Sequence, residues 1–485
     1  MRLLRLLLPA LLLACTERSP ETAGPATATP AVVHSFEGFA PIAGEVPPAL
    51  HGWWRSDGYG FVIHLEPDEV SQYLETASIC YREAHTKDDV LELFHLYEMA
   101  ADGDLRLASY ERGTVYIFRP IAAPPPCLEQ ADATPEATFD AFWHYFDEHY
   151  AFFDERRIDW RERRARLEPV SWDAVTENDL LELLAAMLEG FDDAHTEVLE
   201  AMVNGEERDV PAALGATRER LHDLFERQGE VATFRELDVA WLQTHRAAIA
   251  EMLGEEARRT ARGQIDWGSL GEELGYVHFL TFGRMAAADG VEESERALHE
   301  ALDEALSALG DKRALIVDVS QNRGGYDRLA LAAAGHFADA PRLAYTKRAR
   351  GANGPPQAFR VHPEGAFQFT GPIYVLTSDV TVSAGEVFVL AMSALPHVVF
   401  AGRPTRGCFS DELPRSLPNG WWFGLSNEVY RDAAGGIHEV RGLEPALPLE
   451  VFDPSDLFGS GHRRAVASLA AIVREKREGM PGAPQ

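Results

Sequence analysis

The chain is poor in positive charge. It carries 45 lysines and arginines against 77 aspartates and glutamates, a formal net charge of −32 over 485 residues. Nucleic-acid binding depends on cations that neutralise phosphates, and no basic stripe compensates for the acidic excess. The composition therefore argues against nucleic acid and anionic lipid as partners. It favours solubility, or a surface suited to a saline environment.

Motifs for metals and nucleotides are missing as well. The cysteines Cys15, Cys80, Cys127 and Cys408 form no Cys-x-x-Cys pair, and no His-Glu-x-x-His sequence occurs. The glycine pair at 324–325 has neither dinucleotide-binding nor P-loop spacing. We therefore expect no metal and no cofactor. Cys80 and Cys127 flank one candidate domain and could form a disulfide in an oxidising compartment, but the sequence leaves their geometry open.

The only targeting signal lies at the N-terminus, where Arg2 and Arg5 precede an apolar run. At about ten residues this run is too short for a permanent membrane helix. It ends Leu-Leu-Ala-Cys15, which resembles a bacterial lipoprotein signal and predicts a lipidated Cys15. The alternative is an ordinary secretory signal over residues 1–15 with an incidental cysteine. Residues 16–34 predict a flexible tether, so we expect an exported, envelope-anchored bacterial protein that meets the membrane only through lipid.

The rest of the chain divides into segments of different pattern, and its length favours two or three domains. Residues 35–130 mix aromatic and β-branched residues with glycine turns, which predicts a small β-rich domain. Residues 134–265 carry apolar residues at helical spacing, which predicts a helical domain. Strands alternate with helices over 266–455, which indicates an α/β core. A helix and tail are expected over 456–485.

The stretch around Ser383 has the pattern of a strand, a polar turn and a helix. Residues 371–376 predict the strand, and helical spacing begins at Ala384. The free N–H groups and dipole of a helix start can hold a nucleophilic hydroxyl and stabilise an oxyanion. Alternatively, Ser383 only caps the helix, and Glu386 completes a capping box. Thr381 replaces the first glycine of Gly-x-Ser-x-Gly, which disfavours an α/β-hydrolase.

Two further features could join Ser383 in acyl transfer. His195 lies in a loop directly after a predicted helix at 178–190, and Gly324-Gly325 follow a predicted strand at 314–319. A double glycine lets backbone N–H donors approach a substrate because no Cβ obstructs them. A plain turn and a solvated loop histidine are the alternatives. Cys408 has no histidine or acid placed beside it by motif, and we interpret it as structural.

Several segments, taken in order, resemble the tail-specific (C-terminal-processing) serine peptidases, especially the branch of the tricorn core domain and interphotoreceptor retinoid-binding protein. They are residues 139–154, 188–196 (Leu-Glu-Gly-Phe-Asp-Asp-Ala-His-Thr), 274–282, 315–325 (Leu-Ile-Val-Asp-Val-Ser-Gln-Asn-Arg-Gly-Gly), 381–387 and 438–445. The resemblance implies a crotonase/ClpP-like α/β core and hydrolysis of peptides or unfolded proteins through an acyl-enzyme. No segment resembles the PDZ domain of the family. That module is absent or replaced by the helices of 205–262.

Carried over position by position, the resemblance implies Ser383 as nucleophile, His195 as general base and Glu439 as the acid that orients the histidine. The oxyanion donors would be the N–H of Ala384 and that of Gly324 or Gly325. The processing branch uses a lysine downstream of its serine, and residues 402–409 contain none, which favours the histidine and the glutamate. Ala194 stands where the tricorn branch has a serine. The expected function is a serine endopeptidase. The alternative is an inactive relative that binds peptides or hydrophobic ligands, and the oligomeric state stays open.

Overall fold

The computed structural model describes five ranges of the chain, namely 30–122, 125–127, 132–228, 231–287 and 290–475. The predicted signal with Cys15, most of the predicted tether and the end of the predicted tail lie outside these ranges. Everything that follows concerns the unit that begins at Ala31. No described helix is both long and apolar enough to cross a membrane.

Helices and strands within the described ranges are numbered in chain order. The helices are α1 Lys87–Leu93, α2 Pro135–His149, α3 Trp160–Leu167, α4 Glu177–Leu188, α5 Ala216–Gln228, α6 Phe234–Leu253, α7 Val291–Leu309, α8 Asp327–Gly335, α9 Ala384–Ser393 and α10 Gly461–Glu475. The strands are β1 Ala40–Pro41, β2 Gly52–Ser56, β3 Phe61–Leu65, β4 Val70–Glu75, β5 Cys80–Arg82, β6 Leu96–Met99, β7 Leu105–Ala108, β8 Tyr116–Ile121, β9 Glu197–Val203, β10 Glu206–Val210, β11 Arg258–Thr260, β12 Ile265–Leu270, β13 Leu274–Phe279, β14 Ala314–Asp318, β15 Arg342–Ala349, β16 Gln357–Val361, β17 Ile373–Thr377, β18 Val398–Gly402, β19 Arg415–Ser416, β20 Trp422–Gly424, β21 Glu428–Asp432 and β22 Leu447–Pro448.

The strands form four sheets. An antiparallel N-terminal sheet has the order β1-β6-β7-β8-β2-β3-β4-β5, and two smaller sheets have the orders β10-β9-β20-β19 and β16-β15-β21. The central sheet has the order β11-β12-β13-β14-β17-β18-β22, and its pairs are parallel from β13 onward. The predicted α/β core is confirmed by this sheet and the helices that alternate with its strands.

The central sheet positions the site. All five residues of β14 are buried, as are all five of β17, which is typical of parallel strands covered on both faces. The two strands pair in parallel, with Ile316 opposite Tyr374. Their carboxyl ends therefore lie at the same edge of the sheet, where ligands bind in open α/β folds. The loop after β14 carries Gly324 and Gly325, and the loop after β17 carries Ser383.

The predicted boundary near residue 130 does not separate two hydrophobic cores. One continuous cluster of buried side chains includes Trp54 of the N-terminal sheet, Phe142 of α2, Leu184 of α4 and Phe423 of β20. The predicted helical segment 134–265 also contains strands, since β9 pairs with β20 from the far end of the chain. Local patterns cannot show such a pairing, because it depends on residues more than two hundred positions apart.

Cys80 and Cys127 are joined in a disulfide. The bond ties the edge strand β5 of the N-terminal sheet to the segment that precedes α2. It closes a loop over a sequence separation of 47 residues. The pairing that the sequence left open is thus present in the structure.

Candidate active site

Ser383 lies at the N-cap position of α9 in a backbone conformation that L-residues seldom adopt, with φ 58° and ψ −129°. Such strain costs about 1–3 kcal/mol and persists only where surrounding contacts impose it. Here the N–H of Ser383 donates to the carbonyl of Cys408 (3.2 Å), and its own carbonyl accepts the N–H of Glu386 (2.7 Å). The side chain makes no capping hydrogen bond. The interpretation of Ser383 as only a cap is therefore wrong.

Glu386 does not complete a capping box either. Its buried carboxylate accepts the N–H groups of Gly407 (2.7 Å) and Cys408 (2.8 Å). Burial raises the pKa of Glu386 to about 7, against the hydrogen bonds from Thr405 and these two N–H groups. Glu386 therefore fixes the 405–408 loop beneath α9, and that loop in turn supplies the carbonyl that holds Ser383.

The glycine pair lies against the serine. Gly324 and Gly325 have φ of 93° and 134°, a region that favours glycine. A Cβ on Gly324 would lie 2.7 Å from Cβ of Ser383 and 3.0 Å from its Oγ. A Cβ on Gly325 would lie 2.3 Å from the carbonyl carbon and oxygen of Phe282. Both positions therefore require glycine, Gly324 because of the Ser383 side chain and Gly325 because of the Phe282 backbone.

The two glycine N–H groups differ in availability. The N–H of Gly324 donates to Oδ1 of Asn322 (2.9 Å), so of the two expected glycine donors this one is already paired. In the described part of the chain, the N–H groups of Gly325 and Ala384 donate no hydrogen bond to the protein. Gly325 is exposed, and Ala384 directly follows the serine. These two N–H groups are therefore the unpaired donors of the two loops, that of Gly325 on an exposed residue and that of Ala384 on a fully buried one.

His195 lies in the loop between α4 and β9 and is buried. Its backbone N–H donates to Oδ1 of Asp193 (3.0 Å). Within the described residues, Nδ1 of its ring has no hydrogen-bond partner, and no hydrogen bond joins the ring to Oγ of Ser383. Burial lowers the pKa of His195, and the Asp193 carboxylate is the strongest opposing influence. The imidazole is therefore neutral near pH 7 and able to accept a proton.

Arg156, which follows α2, connects the histidine loop to the loops beside the serine. Its side chain is only 3% exposed. The guanidinium contacts five groups, namely the carbonyls of Phe191 (2.9 Å) and Asp192 (2.5 Å), the carboxylates of Asp193 (3.4 Å) and Glu439 (3.3 Å), and Sγ of Cys408 (3.8 Å). No motif in the sequence singles out this residue.

Glu439 lies against Arg156 and not against the imidazole. Its carboxylate also accepts the N–H groups of Phe409 (2.9 Å) and Ser410 (3.4 Å), and among the described residues it makes no hydrogen bond or ion pair with His195. Burial and the nearby Asp193 raise the pKa of Glu439 well above its usual range. Burial would raise the pKa of Asp193 too, but Arg156 and His195 outweigh it and hold that pKa below its ordinary value. One guanidinium thus faces an ionised Asp193 and a protonated Glu439.

Cys408 fills the space between the histidine loop and the serine. Its Sγ accepts the N–H of Ala194 (3.3 Å), and its carbonyl accepts the N–H of Ser383. Burial raises the pKa of the thiol well above its usual range, so it remains protonated. Asp193, Cys408 and Glu439 have ligand atoms within 4.8 Å of one another. The Arg156 guanidinium contacts all three, and its charge opposes a metal ion there.

The fold is similar to that of known proteins. Residues 273–449 match the model of Peptidase family S41. A putative peptidase from Parabacteroides merdae is 21% identical, with a TM-score of 0.54 over 70% of this chain and 97% of that one. Mature CPAF is 13% identical, with a TM-score of 0.52 over 72% and 99% of the two chains. At these identities the structural likeness establishes the fold alone.

No curated protein matches the chain in sequence. The region matched by the family model contains β14, β17, α8 and α9, and therefore Ser383, the glycine pair and Glu439. His195 lies before it, on the loop that Arg156 and Cys408 hold against the core. The resemblance to the tail-specific peptidases is confirmed over the α/β core, where residues 273–449 match Peptidase family S41.

Proposed function

We propose that the chain is a serine peptidase in which Oγ of Ser383 attacks the scissile carbonyl of a peptide or unfolded protein and forms an acyl-enzyme. The observation that carries the proposal is the strained conformation of Ser383, with an uncapped hydroxyl and a side chain that lies beside Gly324. Strained strand-to-helix turns are typical of nucleophilic serines, because they expose the hydroxyl at a helix start. Here the turn is built without the usual first glycine.

The oxyanion formed in the attack would be held by the N–H groups of Ala384 and Gly325. Both are without a protein acceptor in the described part of the chain, and Ala384 lies at the positive end of α9. A donor of this kind typically lowers the barrier by about 3 kcal/mol, because its hydrogen bond strengthens as charge develops on the oxygen. The two groups therefore supply the electrostatic part of the proposed mechanism.

His195 would take the proton of Ser383 and later give it to the leaving amine. Its burial-lowered pKa keeps the imidazole neutral near pH 7. Catalytic hydrogen bonds often tighten only when substrate is bound, so an unformed bond to Ser383 does not argue against this role. The family pattern assigns the role of orienting acid to Glu439. Asp193 is the carboxylate that raises the pKa of His195 most strongly. Activities of Glu439→Gln and Asp193→Asn distinguish them, because replacing the carboxyl that orients the imidazole costs more activity than replacing the other.

A fluorophosphonate probe tests the nucleophile. We expect the wild-type chain to become labelled and Ser383→Ala to remain unlabelled and inactive on dye-quenched denatured casein. Ser393→Ala, at the other end of α9, is the matched control and should label as wild type does. Equal labelling of wild type and Ser383→Ala would overturn the assignment of Ser383 as nucleophile. Full turnover by His195→Ala would overturn the assignment of His195 as general base.

The second candidate function is binding of peptides or hydrophobic ligands without catalysis. The observation that favours it is the unpartnered Nδ1 of His195, which lacks a bond to any acid among the described residues. In that case denatured casein would bind to the chain with no release of fragments. Turnover that depends on Ser383 excludes this candidate.

We further propose that the chain is exported and anchored through a lipid on Cys15. The disulfide between Cys80 and Cys127 supports an oxidising compartment. Mass spectrometry of the mature N-terminus tests the anchor. A diacylglyceryl group on Cys15 that is absent from Cys15→Ser is expected, and an unmodified N-terminus beyond Cys15 would favour the ordinary secretory signal.

A further inference from the structure

The helices α5 and α6 lie in the segment 205–262, the helices expected where the family's PDZ domain is absent or replaced. They lie between the histidine loop and the central sheet in sequence, outside the residues matched by the family model. Each of them makes one polar contact with a loop of the proposed site. These contacts reach the two loops that carry the oxyanion glycine and the serine.

The first contact joins α6 to the glycine loop. Arg323, directly before Gly324, forms a bidentate pair with Asp238 of α6, at 2.5 and 2.6 Å. The Asp238 side chain is 9% exposed, and it also accepts a hydrogen bond from Arg218 of α5 (3.2 Å). A bidentate guanidinium–carboxylate pair fixes orientation as well as distance. Asp238 therefore determines where Arg323 and the following peptide lie.

The second contact joins α5 to the serine loop. Asp379 follows β17 and lies four residues before Ser383. Its carboxylate accepts both the N–H (2.6 Å) and the hydroxyl (2.8 Å) of Thr217, in the first turn of α5. A carboxylate at a helix N-terminus is stabilised by the free N–H groups and the dipole. The turn before the serine is thus fixed by α5, which is linked to α6 through Arg218 and Asp238.

The helical pair is itself fixed to the core. Nε1 of Trp241 in α6 donates to the carbonyl of Leu457 (3.0 Å), and the Trp241 side chain is fully buried against Phe452. Trp241 also lies under the guanidinium of Arg323, whose Cζ is 5.9 Å from a ring centroid. Asp238 precedes Trp241 by one helical turn, so the anchor and the contact lie on the same face.

We propose that Asp238 and Thr217 are positioning residues, through which α5 and α6 hold the loops of Gly325 and Ser383 in their reactive arrangement. This inference rests on the proposed function, since it assigns the two residues to the oxyanion donor and nucleophile described above. Neither side chain touches the reacting atoms. Gly324 is in contact with Ser383, so a shift of Arg323 moves the donor relative to the nucleophile.

The test uses the full mature chain and a fluorophosphonate probe, whose phosphoryl oxygen needs the same donors as an oxyanion. A misplacement of about 1 Å can cost on the order of a hundredfold in rate. We expect Asp238→Asn to lower the maximal rate of labelling roughly tenfold or more, with the half-saturating probe concentration unchanged. Asp223→Asn, an exposed position on α5, is the matched control and should label as wild type does.

A double-mutant cycle separates positioning from stability. If Asp238 acts through Arg323, the variant Asp238→Asn/Arg323→Gln labels no more slowly than Arg323→Gln alone. Thr217→Val acts on the other loop, so its effect on the labelling rate should multiply with that of Asp238→Asn. The inference would be overturned if the fold-reductions of Asp238→Asn and Arg323→Gln multiply in the double variant, because the two residues would then act independently. It would also be overturned if the labelling rate of each variant falls only in proportion to the fraction of that variant that is unfolded.

Failure of this inference is distinguishable from failure of the proposed function. If Ser383→Ala is unlabelled while Asp238→Asn labels at the wild-type rate, only the positioning role is refuted. If Ser383→Ala labels like wild type, the nucleophile assignment falls and the positioning role falls with it.

Discussion

Replacing Arg156 with alanine should destabilise the protein strongly at neutral pH and much less at acidic pH. The Arg156, Asp193 and Glu439 side chains are 3%, 0% and 2% exposed. Removing one partner of a buried ion pair costs about 3–5 kcal/mol, because the remaining charge is left uncompensated. We therefore expect the free energy of unfolding to fall by about 3–5 kcal/mol near pH 7.5.

The pH dependence follows from the direction of the Asp193 pKa. In the wild-type protein this pKa lies below its ordinary value of 3.8, so the carboxylate contributes stability that is present above that pH and lost as the pH falls further. Without Arg156, burial raises the same pKa, and the charged carboxylate becomes a cost that grows as the pH rises. The difference between wild type and Arg156→Ala must therefore increase from about pH 5 to about pH 7.5.

Urea unfolding followed by tryptophan fluorescence at the two pH values measures this difference. Arg156→Lys keeps the charge and should retain part of the stability, although one ammonium cannot replace the guanidinium at all five contacts. Arg161→Ala is the matched control, since that side chain is 81% exposed. A loss for Arg156→Ala that is the same at both pH values would refute the reasoning about the buried carboxylates.

Three further predictions concern the disulfide, the glycine loop and the loop beneath α9. Replacing Cys80 and Cys127 with alanine should lower the free energy of unfolding by about 4 kcal/mol, from the loop entropy of 47 residues; urea unfolding that is unchanged would contradict it. Gly325→Ala would force its Cβ to 2.3 Å from the Phe282 carbonyl and displace the N–H donor, so we expect roughly a 10²–10³-fold lower maximal labelling rate, and wild-type labelling would exclude Gly325 as a donor. Glu386 has a folded pKa of about 7 against 4.5 when unperturbed. It therefore contributes up to roughly 3 kcal/mol of stability, which is fully present below about pH 4.5 and lost as the pH rises to about 7. Glu386→Gln should remove that share of the pH dependence of unfolding, and a pH profile identical to that of wild type would be inconsistent with a buried carboxyl.

The elements that carry the proposed nucleophile and oxyanion donors could be predicted from local patterns. The strand predicted at 371–376 is β17, and the helix predicted from Ala384 is α9. The strand predicted from Ala314 is β14, which ends before the glycine pair. Buried parallel strands are continuous apolar runs, and a helix shows its own period, so neither requires knowledge of distant residues.

The contacts that give these elements their chemistry could not be predicted in the same way. The spacing of Glu386 from Ser383 fits a capping box, but the Glu386 carboxylate accepts two N–H groups from Gly407 and Cys408. Arg156 contacts Glu439 across 283 positions, and β9 pairs with β20 from Leu199 to Trp422. Such contacts depend on the tertiary fold. Burial, which also depends on the tertiary fold, raises the pKa of a carboxyl by disfavouring its charged form. The conformation of Ser383 likewise depends on the loop of Cys408.

The buried charges limit what each carboxyl can do for the histidine. Arg156 is one positive charge between two carboxyls, and burial makes a second ionisation costly, so one negative charge is held there and Asp193 carries it. In the proposed mechanism His195 takes the proton of Ser383, and the new imidazolium would be stabilised by a carboxylate and not by a protonated acid. Glu439 can fulfil the role that the family pattern assigns to it only by releasing its proton as the histidine becomes charged. That proton would have to pass to the Asp193 carboxylate, so that the single negative charge of the cluster moves to Glu439 while Arg156 balances it throughout.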